Sequence, residues 1–314
     1  MSLNPDTQAF VDMIEAARAS APPVAEQTPE FARNRYRALA HVLGEGPELA
    51  GGIEELEIPR PGGSIGLRLY RPEKEGPHPV LLFFHGGGFV IGDLETHDKE
   101  CRLLCERADC AVLAVDYRLA PEAKFPAAVE DAWTALSWVV EHGQTVGIDT
   151  SRVAVGGDSA GGNLAAVVAL MARDAGIELK LQMLVYPATD ASRHFDSFDE
   201  NVDGPLLTVE VINWFWGHYI GQNAGERERG DWRFSPAKAS SHSGVAKAYI
   251  ATCSADPLRD EGNAYASLLD QSGVPVQHSM FEGEPHTLFQ LFNTSESAKK
   301  LINECAEALA EAMK

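Results

Sequence analysis

The sequence predicts an α/β protein in which an eight-stranded, mostly parallel sheet is flanked by helices and covered by a helical cap. Three observations carry this. Short apolar or alternating runs recur between helix-length segments from residue 52 onward, the first two runs lie close together around Gly62 and Gly63, and two stretches rich in helical pattern contain no strand at all.

The strand runs fall at residues 56–59, 65–70, 79–84, 111–116, 152–156, 180–186, 247–253 and 274–281. The close spacing of the first two suits a hairpin. Later runs are separated by enough chain for right-handed helical crossovers, so the sheet is expected to begin antiparallel and continue parallel. Helices are expected over residues 97–108, 126–142, 160–174, 258–272 and 288–313.

The first 47 residues read as two amphipathic helices. Phe10, Met13, Ile14 and Ala17 recur at helical spacing, and Thr28-Pro29 forms a cap and first position before Tyr36, Leu39, Ala40 and Leu43. Residues 188–239 are mostly polar loop around an aromatic helix over 208–220 that carries Trp214, Phe215, Trp216 and Tyr219. A helix apolar on nearly every side needs cover on several faces. The expected division is therefore a cap built from residues 1–47 and 188–239 over a core built from 48–187 and 240–314.

Bulk properties narrow the function. The chain has 314 residues with 26 Lys and Arg against 46 Asp and Glu, a net charge of −20 that repels phosphate backbones and acidic membranes. Nucleic-acid binding is disfavoured. Asp6, Asp12, Glu15 and Arg18 interrupt the amino-terminal stretch where an export signal would be apolar, and the longest uncharged apolar run, residues 164–172, is far short of the roughly 20 residues a membrane span needs. The expectation is a cytoplasmic protein without a membrane span. Cys101, Cys105, Cys110, Cys253 and Cys305 show no paired Cys-x-x-Cys spacing and no accompanying histidine cluster, which points to free buried thiols and no metal site.

Residues 153–163 run from an apolar strand through Gly157-Asp158-Ser159-Ala160-Gly161 into an alanine-rich helix. A strand, sharp turn and helix of this kind expose a strained serine above the sheet edge, with glycines where strand and helix approach closely. The helix start aims backbone N–H groups and its positive dipole end at the serine oxygen, which makes Ala160 a candidate oxyanion donor. Residues 79–84 lead into His85-Gly86-Gly87-Gly88-Phe89, where adjacent glycines let backbone amides turn towards a carbonyl oxygen. Gly87 and Gly88 are the other candidate donors. His85 precedes the serine and sits at a strand end, so it is expected to brace this loop.

A base on this scaffold must follow Ser159. His194 and His218 fall in the expected cap, His242 in a polar loop and His278 within a strand, which leaves His286 after the last strand, in a Gly and Pro segment able to swing its ring over the serine. The orienting acid should follow the preceding strand, where Asp256 stands before Pro257; Asp260 is the reserve. These groups suit two-step acyl transfer without metal or organic cofactor.

His85-Gly-Gly-Gly-Phe89, residues 116–122 (Asp-Tyr-Arg-Leu-Ala-Pro-Glu), Gly157-Asp-Ser-Ala-Gly161, residues 256–260 (Asp-Pro-Leu-Arg-Asp) and Glu282-Gly-x-x-His286 together resemble the hormone-sensitive-lipase-like branch of the α/β-hydrolase fold. The resemblance runs from about residue 50 to the end. It implies hydrolysis of small-molecule esters with short to medium acyl chains, Ser159, Asp256 and His286 as triad, Gly87, Gly88 and Ala160 as oxyanion amides, a bracing role for residues 116–122, and a homodimer through the last strand and helix. Phe89, Trp214, Phe215, Trp216 and Leu288 are the candidate pocket lining. Thr287-Leu288-Phe289 departs from the pattern by placing its aromatic one position late. An amidase or arylformamidase uses the same constellation, and a non-catalytic ligand receptor resembles this branch but lacks a working histidine.

Overall fold

The computed structural model describes residues 3–192 and 194–314. Its eight strands are β1 (Ile53–Arg60), β2 (Gly63–Tyr70), β3 (His78–Phe84), β4 (Ala111–Asp116), β5 (Ile148–Asp158), β6 (Gln182–Val185), β7 (Ala248–Ala255) and β8 (Val276–Pro285), in the order β1-β2-β4-β3-β5-β6-β7-β8. The β1–β2 and β2–β4 pairs are antiparallel, and every pair from β4–β3 to β7–β8 is parallel. All eight expected strands are present.

The central parallel strands are mostly apolar because helices cover both faces, whereas the edge strand β8 carries polar, exposed residues. Leu81, Leu82, Phe83 and Phe84 of β3 and Val153, Ala154 and Val155 of β5 are fully buried. The helices are α1 (Pro5–Arg18), α2 (Pro29–Val42), α3 (Asp98–Ala108), α4 (Ala127–His142), α5 (Ala160–Asp174), α6 (Asp196–Glu200), α7 (Val209–Tyr219), α8 (Glu226–Arg229), α9 (Arg259–Gln271) and α10 (Glu296–Ala312). The expected Thr28 cap forms, its side chain accepting from the Phe31 amide, and Thr208 likewise accepts from the Val211 amide at the start of α7. All five cysteines are buried and free.

One expectation needs correction. The chain after His286 is not one helix over 288–313: a short turn at Leu288–Leu291 is followed by a break, and α10 starts only where Ser295 caps the Ala298 amide. Asn293, Thr294 and Ser295 compete for backbone hydrogen bonds and interrupt the helix, as Thr294 Oγ1 does by donating to the Leu291 carbonyl at 3.0 Å. The aromatic helix α7 buries Ile212, Trp216 and Tyr219 and packs Val209, Val211 and Phe215 against the core as well, with Trp214 and Phe215 half-buried where they border a cavity.

The parallel pairing decides where chemistry can occur. β3, β5, β7 and β8 all end on the same edge, so the segments that follow them converge there. Those segments are the glycine loop, Ser159, Asp256 and His286.

Candidate active site

Ser159 lies between the end of β5 and the start of α5 with φ 54° and ψ −116°, a left-handed conformation for a non-glycine residue. Such a conformation costs on the order of 1–3 kcal/mol and persists only where its surroundings enforce it. They do: the Ser159 amide donates to Val185 O at 2.8 Å, and the Ser159 carbonyl accepts from Asn163 at 3.0 Å. A Cβ at Gly157 or at Gly161 would overlap the Phe84 carbonyl oxygen, so only glycine permits the close approach of β5 and α5 to β3.

His286 Nε2 stands 2.9 Å from Ser159 Oγ, and its Nδ1 stands 2.7 Å from Asp256 Oδ2. The Asp256 carboxylate accepts, so the imidazole proton sits on Nδ1 and Nε2 is left to accept from the serine hydroxyl. The other carboxylate oxygen accepts from the Leu258 amide at 2.8 Å, and Asp256 is fully buried, which fixes the acid's rotamer. The Tyr186 ring lies 4.5 Å from the imidazole and supports it from below. Asp260 faces elsewhere: it accepts from the Ser197 amide at 2.9 Å and pairs with Arg259 at 2.7 Å.

The segment carrying His286 is not the flexible loop that its Gly and Pro suggested. β8 continues through Pro285, which pairs with Ala255 after an irregularity in the β7–β8 register, and the Gly283 amide donates to Ser254 Oγ at 2.8 Å. Helix α1 locks the same segment. Glu284 is buried and accepts from Thr7 Oγ1 at 2.7 Å and from Asn4 Nδ2 at 2.6 Å, while the Asn4 amide donates to Gly283 O at 2.9 Å.

Beside Ser159 the glycine loop leaves β3. Gly87 and Gly88 take φ 120° and 60°, and both line the cavity with Ala160. A Cβ at Gly88 would run into the Phe215 ring, so the loop and α7 touch directly. His85 braces the loop as expected. Its Nδ1–H donates to Gly86 O at 2.7 Å, its ring stacks on Tyr117 at 4.3 Å, and Tyr117 Oη donates to His85 O at 2.7 Å. Burial, followed by the neighbouring His97, pushes the His85 pKa down to about 4, so the ring is neutral at physiological pH.

The cavity over Ser159 holds about 520 Å³. Of the expected lining, Phe89, Trp214, Phe215 and Trp216 border it, although Phe89 is buried against Tyr219 at 4.1 Å and offers little surface. Leu288 does not: it is fully buried in the core cluster with Phe83 and Phe281, because the turn that begins at Thr287 (φ 72°) points it inward and presents Leu291 instead. The α1 and α2 residues Phe10, Met13, Ile14, Tyr36 and Leu39 supply much of the rest. Their helical periodicity was legible, but nothing local in the sequence aims them at a serine more than a hundred residues away.

Sequence reasoning also passed over Asp158 and His97, a buried pair directly beneath the glycine loop. Asp158 stands inside the serine motif and His97 at the start of an expected helix, and neither position marks the two as partners. Among the described residues no group of His, Cys, Asp and Glu could hold a metal ion, and no helix is long and apolar enough to cross a membrane.

Comparison with known proteins agrees with this geometry. Residues 81–290 match a family model described as α/β hydrolase fold. The chain is 44% identical over 283 residues to carboxylic ester hydrolase LipN of Mycobacterium tuberculosis, covering 88% of this chain and 74% of that one. It is 38% identical over 320 residues to ethyl acetate hydrolase of Pseudomonas putida, covering 99% of each. A solved structure of a hyperthermophilic esterase from the archaeon Pyrobaculum calidifontis superposes with a TM-score of 0.91 at 35% identity, over 99% of both chains. The chain belongs to the α/β-hydrolase fold, in its hormone-sensitive-lipase-like group of bacterial carboxylesterases.

Proposed function

We propose that this carboxylic ester hydrolase works through an acyl-enzyme on Ser159, with His286 as general base and Asp256 as its orienting acid. The observation that carries the reading is the continuous line from Asp256 Oδ2 through the imidazole to Ser159 Oγ, at 2.7 and 2.9 Å. His286 takes the serine proton as Oγ attacks the ester carbonyl. The tetrahedral oxyanion is held by the amides of Gly87, Gly88 and Ala160, where each preorganised donor is worth roughly 3 kcal/mol. His286 then protonates the departing alcohol, and a water activated by the same imidazole releases the acid.

Residues 1–47 and 188–239 act as the cap in this reading, over a core of 48–187 and 240–314. Support comes from their shared lining of one mostly apolar cavity, which suits short to medium acyl chains. A length series of p-nitrophenyl esters from C2 to C12 tests this, with Ser159→Ala as the blank. Turnover should peak at short to medium chains, and a peak at C12 would sink the assignment of acyl length.

The same reading places the protein in the cytoplasm, supported by five buried free thiols, and pairs two copies through β8 and α10, supported by the position of β8 at the sheet edge with Met280 exposed. Sedimentation of wild type against Met280→Glu checks the pairing. A monomer in both would remove it.

A further inference from the structure

Behind the glycine loop lies a polar cluster that takes no part in the proton transfers above. Asp158, the last residue of β5, is buried with its Oδ1 accepting from the Gly86 amide at 2.9 Å and facing His97 Nε2 at 3.2 Å. A Cβ at Gly86 would overlap Asp158 Oδ2, so the carboxylate is pressed against the loop backbone. His97 stands at the residue before α3 and is itself buried, with Nδ1 2.9 Å from Thr96 Oγ1. Thr96 Oγ1 lies 2.9 Å from Asp93 O and accepts from the Asp93 amide at 2.9 Å.

Nε2 faces the buried Asp158 carboxylate at ion-pair distance, and Nδ1 lies beside Thr96 Oγ1, whose hydroxyl donates to Asp93 O. The Gly86 amide donates towards both partners of the pair, at 2.9 Å to Asp158 Oδ1 and 3.3 Å to Nε2. A neutral ring protonated at Nδ1 would turn a lone pair towards the buried carboxylate, whereas an imidazolium answers its charge.

We infer that His97, as an imidazolium, is a positioning residue that clamps Asp158 beneath the glycine loop and thereby sets the Gly87 and Gly88 amides at the distance the oxyanion requires. This rests on the reading of Ser159 as nucleophile and of those amides as donors. The chain of contact is short: His97 to Asp158, Asp158 to the Gly86 amide, and Gly86 by one peptide to Gly87. Asp158 is also joined by one peptide to Ser159, so the same clamp fixes the serine and its oxyanion site relative to each other.

The groups facing His97 come from every element around it. Asp158 approaches from β5, Asp93 from the loop after Gly92, and Glu100 from α3, where Lys99 pairs with it at 3.4 Å. His85 at the end of β3 lies 5.5 Å away ring to ring, and Tyr36 of α2 at 6.0 Å. Burial alone would push the His97 pKa down, but Asp158, then Glu100 and Asp93, outweigh it and hold the pKa above the ordinary histidine value. Burial would raise Asp158, yet His97 outweighs it and keeps the carboxylate ionised. A raised histidine contributes its pairing in full below the unfolded value and loses it as pH climbs through the folded one. The clamp therefore weakens on the alkaline side.

The test follows kcat and KM for p-nitrophenyl butyrate against pH in wild type, His97→Gln, Asp158→Asn and the double variant, with the rate of Ser159 labelling by a fluorophosphonate. In wild type kcat should decline on the alkaline side. In His97→Gln it should be lower by on the order of 10²-fold, with KM little changed and the alkaline decline gone. The double variant should cost no more than Asp158→Asn alone, and labelling should slow in step with kcat. In the unmutated enzyme, ¹⁵N spectra of the imidazoles should place both His97 protons at neutral pH and remove one over the range where kcat declines, a readout that does not depend on any variant folding. A neutral His97 ring at pH 7, wild-type kcat or labelling rate in His97→Gln, or additive losses in the double variant would overturn the inference. Failure of wild type to label at Ser159 would instead strike the nucleophile reading beneath it.

Discussion

Helices α5 and α2 both face the cavity over Ser159, and they are held in opposite ways. Every residue of α5 from Ala160 to Leu170 is buried, so the helix that begins at the nucleophile cannot shift without opening the core. Helix α2 buries no residue completely. Its anchors are polar: Arg33 donates to Val90 O at 2.8 Å, to Ala120 O at 2.9 Å and to Glu122, and Tyr36 Oη donates to Gln290 at 3.0 Å. Close packing leaves atoms one arrangement, whereas a few directional bonds can be exchanged for water at small cost. Atoms that need fixed positions stand on the packed side, and the surfaces that meet the variable part of a substrate hang from the other.

That contrast can be broken by substitution. Ser159→Ala and His286→Ala should each lower kcat by on the order of 10⁶-fold, by analogy with serine hydrolases whose nucleophile or base has been removed. Steady-state assays with the same melting temperature as wild type would establish that chemistry alone was lost. Asp256→Asn should cost on the order of 10⁴ in kcat, because its amide can hold the wrong imidazole tautomer. Asp260→Asn should leave kcat near wild type and lower thermal stability, since its partners are Ser197 and Arg259; the reverse pattern would transfer the acid's role to Asp260. Smallest of all, Arg33→Gln should change stability by about 1–2 kcal/mol through two carbonyl contacts and one largely exposed ion pair. It should raise KM for longer esters while leaving kcat for the acetate ester nearly unchanged. A fall in acetate kcat as large as that of Asp256→Asn would erase the distinction between the two helices.

The strands were legible because each is a short apolar or alternating run between turns or helix-length segments, and their order of chemistry-bearing ends follows from parallel pairing. Ser159 and its glycines were legible for the same reason: the constraint is local, written in five consecutive residues. Asp256 and His286 needed only their positions after β7 and β8. The misreadings share a different cause. The Gly283 and Pro285 segment reads as mobile until its long-range partners Asn4 and Thr7 are known. Leu288 reads as lining until the positive φ of Thr287 turns it into the core. His97 lies sixty-one residues before Asp158, and no periodicity links a helix start to a motif on another strand. Contacts made across the fold leave little trace in any window of sequence short enough to read.

The attachment of Asn4 and Thr7 to Gly283 and Glu284 ties the opening turn of the chain to the residues immediately ahead of the imidazole. Clipping α1 from an otherwise intact molecule would therefore do more than widen the entrance. It would strip a buried carboxyl group of its partners two positions from the base, so that a nick remote in sequence would be felt as a slower reaction before any substrate noticed a missing wall.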